Sequence, residues 1–130
     1  RIAEANCASH HVKNVKFLHG DWYQPVLDQK YHLIVSNPPY VANGDKHLSN
    51  LNLRFEPRSA LISGEDGMRD LTHIICKSPE YLLSGGWMLT EHGSEQGQKV
   101  RNLYESVGFR DVGTFADLSG LDRVTLGCVP

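Results

Sequence analysis

No basic block, no paired cysteine motif and no long apolar run occurs in this 130-residue chain. Thirteen Lys and Arg stand against fifteen Asp and Glu, a formal charge of -2 with a pI near 6.4. The chain therefore lacks the positive surplus with which proteins grip a phosphate backbone. Its three cysteines, Cys7, Cys76 and Cys128, are odd in number and widely spaced, so they read as packed or idle thiols of a reducing compartment rather than a disulfide framework. No stretch approaches the ~20 apolar residues of a membrane helix, and the first residues lack the charged-then-apolar pattern of a secretory signal. A cytoplasmic protein without membrane contact is predicted. Repeats and low-complexity tracts are also missing, and 40% hydrophobic residues over this length predict one compact domain.

A proper helix start is lacking too. Arg1-Ile-Ala-Glu-Ala-Asn6 reads as the last turns of a helix already under way, with neither an N-cap residue nor a methionine ahead of it. The expectation is a piece of a longer protein.

Beyond that helix, Val15 to Leu18 reads as a short strand closed by Gly20-Asp21-Trp22. Leu33-Ile34-Val35 is a continuous apolar run, the pattern of a strand buried on both faces of a parallel sheet. Residues 41–64 hold turn formers and no periodicity, which predicts a long loop. A helix is predicted from Gly67 through Leu71, Ile74, Ile75 and Leu82 to Ser84-Gly85-Gly86, bent or split at Pro79. Trp87 to Thr90 reads as a strand ending in Glu91-His92-Gly93. Ser94 is expected to cap a helix running through Val100 and Val107 to Gly108. Residues 111–116 and 123–129 read as an antiparallel pair. Alternating strands and helices predict an α/β doubly wound, mostly parallel sheet with that pair at its end. Ligands of such sheets sit at the carboxyl ends of strands, where Asp21, Asn37 and Glu91 would line one crevice.

Chemistry concentrates at Asn37-Pro38-Pro39-Tyr40. Pro38 biases Asn37 away from the α region and Pro39 does the same to Pro38, so the chain leaves its strand extended. Neither proline has an N–H, which leaves the carbonyls without local donors and the Asn37 side chain able to point into a cleft. Two acceptors, the Asn37 side-chain oxygen and a proline carbonyl, suit the two hydrogens of a planar NH2 group, with the Tyr40 ring covering its face. Such a nitrogen is a poor nucleophile because its lone pair is delocalised. Acceptors aimed where its hydrogens lie as it turns tetrahedral favour the transition state over the ground state. The same tetrapeptide can also serve as a turn after a strand.

Other constellations carry less. His73 and Cys76 lie three apart on one predicted helix, but ligand spacing alone is cheap and no second pair sits at finger-like distance, so no metal is expected. His92 follows Glu91 near the presumed crevice and is read as structural support, since transfer to an amide needs no strong general base. Gly64-Glu65-Asp66-Gly67 lacks the Lys-Ser/Thr of a phosphate loop and reads as a turn with a helix cap.

The run Ile34 to Tyr40, then Phe55-Glu56-Pro57 with Ala60-Leu61, Gly67-Met68, Gly85-Gly86, Glu91-His92-Gly93 with Gln96-Gly97, and Asp122-Arg123-Val124 resembles the release factor glutamine methyltransferases. The resemblance implies a Rossmann-like fold and S-adenosylmethionine as methyl donor. It implies, as substrate and protein partner, the glutamine amide of the Gly-Gly-Gln tip of class 1 peptide chain release factors. Carried over by position, Asn37 and the Pro38 backbone accept the amide hydrogens, Pro39 stiffens the loop and Tyr40 packs on the amide plane. Asp21 and Trp22 fall beside the adenine of the cofactor. Arg54, Glu56 and Arg58 either order the loop beside the substrate or form a solvated charge cluster. The family's glycine-rich loop and the acidic residue that holds the ribose have no counterpart in these residues. The chain therefore corresponds to a partial catalytic domain, with weak cofactor binding or none expected from it alone. In the family's sheet two strands separate the Val15 segment from the Leu33 strand, so residues 15–18 are expected to be displaced or unpaired here. Asn-Pro-Pro-Tyr is shared with nucleic-acid amine methyltransferases, which leaves that activity as an alternative, and a non-catalytic binding module as another. The absence of a basic groove argues against the base-flipping reading.

Overall fold

A computed structural model describes residues 1–45, 48 and 55–130. Its centre is β2 (Leu82–Glu91), flanked on one side by β1 (Tyr31–Ser36) and on the other by β4 (Asp122–Cys128), with β3 (Arg110–Ala116) outermost, in the order β1-β2-β4-β3. β1 and β2 run parallel with Ile34 beside Met88 and Ser36 beside Thr90, while β2–β4 and β4–β3 are antiparallel. The parallel pair needs a crossover, and α2 (Arg69–Lys77) supplies it; α3 (Gly97–Val107) links β2 to β3. The α/β class is thus as expected, and the parallel part of the sheet within these residues is the β1–β2 pair.

One sheet face is covered. Leu71, Ile74 and Ile75, at helical spacing on α2, and Val100 and Tyr104, four apart on α3, pack with Leu82, Met88, Phe109 and Val129 into the core. Glycine at 127 lets α3 lie close, because a Cβ there would come within 2.8 Å of the Tyr104 ring. The opposite face carries Leu33, Val35, Trp87, Leu89, Val124, Leu126 and Phe115, in lateral register across all four strands. Among the described residues nothing covers it fully: Leu33, Val35 and Phe115 are 52%, 68% and 59% exposed. The reading of β1 as buried on both faces is corrected here to burial on the helical face alone.

Several boundaries differ from the sequence expectation. α2 ends at Lys77, Pro79 sits in a 3-10 turn over Ser78–Tyr81, and Leu82 to Gly86 belong to β2, not to the helix. Gly85, at φ 75, and Gly86 produce the irregular register between β1 and β2. Ser94 is not a cap; Gly93 precedes the turn and its N–H is bound by the Gln96 side chain. Gly108 ends α3 in the left-handed conformation, as expected. The opening helix α1 (Ile2–Ser9) buries no residue. Residues 15–18 form no strand and join no sheet among the described residues, as expected.

Candidate active site

The parallel strands β1 and β2 finish side by side, Ser36 against Thr90, so Asn37 and Glu91 emerge together at the carboxyl end of the sheet. Asn37 is exposed and its side chain binds no described residue. Pro38 behind it is buried, and Pro39 and Tyr40 are half-buried. Tyr40 lies against the edge of the core and donates its hydroxyl to Glu91 Oε1 at 2.9 Å. Burial and this carboxylate push the phenol up from its ordinary range, so it remains a donor.

The backbone after the motif is fixed as firmly. Val41 N donates to Leu61 O at 2.8 Å and Ser63 N to Val41 O at 2.9 Å, a short parallel bridge between Val41 and Ile62. The 3-10 turn Arg58–Ala60, which follows Phe55-Glu56-Pro57, delivers Leu61 to this bridge. Buried Ser63 then accepts Asp70 N at the start of α2. Glu56 and Arg58 are exposed; Arg54 lies outside the described residues. Asp66 accepts Met68 N, which gives the turn expected of Gly64 to Gly67; the helix cap expected there is not formed, because the N-cap of α2 is Met68, without a side-chain cap bond.

His92 supports the site from below. Fully buried, it has Nδ1 at 2.9 Å from Gly93 O and Nε2 at 2.8 Å from Thr125 Oγ1, which meets Thr114 Oγ1. Burial lowers its pKa, so it stays neutral. Arg123 donates to His92 O and twice to Asp117 Oδ2. Asp117 is held below the usual carboxylate range first by the Leu121 N–H and also by Arg123. The Asp-Arg-Val segment thus buttresses the end of β2.

Of the three residues expected to share a crevice, Asn37 and Glu91 come together through Tyr40. Asp21 ends no strand; with Trp22 and Tyr23 it lines a cleft of about 410 Å³ against Arg69, His73 and Tyr81. Trp22, at φ 44 and half-exposed, also borders a smaller recess of about 150 Å³ with Ile34, Val35, Ser36 and Ile74. This recess is walled by an indole and lies beside the residues that lead into Asn37. Among the described residues no group of three or more His, Cys, Asp or Glu gathers within reach of one metal ion, and no helix is long and apolar enough to cross a membrane. Sequence reasoning missed Gln96 as a site residue: its amide joins Gly93 N, Tyr40 O and Asp66 O.

Asn-Pro-Pro-Tyr follows β1, the strand at one edge of the sheet among the described residues, and residues 1–57 match the family model described as the methyltransferase small domain. The chain is 46% identical over 127 residues to the release factor glutamine methyltransferase of Aliivibrio fischeri, covering 97% of this chain and 45% of that protein. It is 47% identical over 129 residues to that of Xylella fastidiosa, covering 99% and 47%, and 42% identical over 126 residues to that of Escherichia coli, covering 97% and 46%. By sequence the chain is similar over nearly its whole length to the release factor glutamine methyltransferases. It spans about half the length of the curated relatives it matches. A crystal structure of protein-(glutamine-N5) methyltransferase (release factor-specific) from Alicyclobacillus acidocaldarius aligns with a TM-score of 0.46 and 26% identity, over 77% of this chain and 49% of that one.

Proposed function

We propose that these residues are part of a catalytic domain that methylates the side-chain amide of the Gly-Gly-Gln glutamine in class 1 release factors. The carrying observation is Asn37: exposed, unpaired among the described residues, and set at a strand end by a buried proline. Its side-chain oxygen and the Pro38 carbonyl accept the two amide hydrogens, and Pro39 keeps the loop from yielding as they do. The Tyr40 ring, oriented by Glu91, covers the amide plane. S-adenosylmethionine, with Trp22 and Asp21 beside its adenine and Asn37 at the reacting end, supplies an electrophilic methyl group on a sulfonium. The new N–C bond forms as the C–S bond breaks with its electron pair left on sulfur; the nitrogen's protons become acidic and one is lost to water, so hydrogen-bond acceptors suffice and no strong base is called for. Translation termination is a cytoplasmic process, which supports a cytoplasmic location for the protein with its substrate.

A slightly acidic chain favours a protein substrate over a flipped base. The test is incubation of the complete protein with S-adenosylmethionine and a class 1 release factor, followed by peptide mass spectrometry. Methyl on the Gly-Gly-Gln glutamine is expected. An unmodified glutamine, with methyl found instead on a nucleobase amine, would overturn the reading.

A further inference from the structure

Gln96 stands three residues past Gly93, and backbone groups occupy both ends of its side-chain amide. Oε1 accepts Gly93 N–H at 2.8 Å, while Nε2 donates to Tyr40 O at 3.0 Å and reaches Asp66 O at 3.4 Å. One side chain thereby ties together the loop after β1, the turn before α2 and the turn before α3. Buried Gly67 leaves room for this: a Cβ there would overlap Tyr40 O and lie 2.7 Å from Gln96 Nε2. Tyr40 is consequently held twice, through its hydroxyl on Glu91 at the end of β2 and through its carbonyl on Gln96 in the turn that follows. The prolines between Tyr40 and Asn37 have fixed φ, which leaves fewer torsions to absorb a displacement at Tyr40 before it reaches Asn37.

We propose that Gln96 is a positioning residue for methyl transfer, setting the Asn37–Tyr40 loop against the end of β2 through the Tyr40 carbonyl. This rests on the reading of that loop as the amide site. A planar amide is required because one end must accept and the other donate. A carboxylate at the same place keeps the Gly93 contact but turns a second acceptor toward Tyr40 O.

Gln96→Glu in the complete protein makes the donor titratable. Ionised, it lacks the donor; protonated, it regains one. At pH 8 the variant is expected to lose on the order of tenfold in kcat with KM for S-adenosylmethionine little changed. The ratio of variant to wild-type kcat should then climb as pH falls. A carboxyl facing carbonyl oxygens has its pKa raised, so recovery begins above the ordinary value of about 4.3. Neighbouring Tyr40, Glu91, Asp66, His92 and Glu95 are common to both proteins, and the ratio cancels their titration. Gln96→Ala, lacking both ends, should lose kcat without pH-dependent recovery, and it carries the test if the Glu variant does not fold. A pH-independent ratio for Glu, or wild-type kcat in Ala, would overturn the assignment. A wild-type protein inert on release factor sinks the proposed function alone. The ring resonances of 13C-labelled Tyr40 then decide: they should shift in Gln96→Glu at pH 8 and return at low pH, and unshifted resonances would overturn the clamp.

Discussion

Asn37 and Tyr40 have different partners, and substitution should separate them. Asn37→Ala removes one of two acceptors aimed at the amide hydrogens and touches nothing in the core, so a loss of about a hundredfold in kcat, roughly 3 kcal/mol, is expected with the melting temperature unchanged. Methylation assays and thermal unfolding of the same preparation check it. Tyr40→Phe keeps the ring but frees Glu91, because the hydroxyl is bonded and not idle. A loss of up to about tenfold in kcat is expected, against a much larger one for Tyr40→Ala. Equal loss in the two variants would mean that the hydroxyl takes part in chemistry. At this scale the sequence disclosed the motif, because proline restricts its neighbours whatever surrounds them. It could not disclose Gln96, whose bond to Tyr40 crosses 56 positions; the single local signal was a glutamine three residues after Gly93, the spacing of a reciprocal cap.

Turns and strand ends, more than the helices, fix where those residues stand. Gly67 has φ 74 and backs onto the Tyr40 carbonyl, so Gly67→Ala meets both an unfavourable backbone conformation and a steric overlap. A destabilisation of at least about 2 kcal/mol, read by denaturant unfolding, is expected together with a loss of activity. His92 at the end of β2 is buried neutral, its pKa lowered from an unfolded value of 6.5. Between the two values the unfolded chain binds more protons than the folded one. Its contribution is therefore complete above pH 6.5 and is lost as pH falls through the folded pKa. Thermal unfolding from pH 7.5 to 5 should be less pH-dependent in His92→Gln than in wild type. The strands and α3 were readable from periodicity and Gly108. The end of α2 was misplaced because Leu82 happens to continue the helical spacing while Pro79 forbids the helix that would use it. Val15 to Leu18 has strand propensity but no neighbour to pair with, and a strand's stability comes from its partners.

At the scale of the whole molecule, the described residues form a sheet dressed on one side. Its helical face carries the core, while Leu33, Val35 and Phe115 on the other remain more than half exposed. That asymmetry has a calorimetric consequence. Unfolding a domain raises the heat capacity in proportion to the apolar surface it newly wets, about 12–15 cal/mol/K per residue, or roughly 1.6–2 kcal/mol/K for a chain of this length. Here a layer of that surface is wet before unfolding begins. Scanning calorimetry of the 130-residue chain should give an increment clearly below this range, and urea titration a correspondingly shallow slope; a full-sized increment would mean that the second face is covered in solution. A smaller increment flattens the curve of stability against temperature, so this chain should melt over a broad interval and change little in stability on moderate cooling.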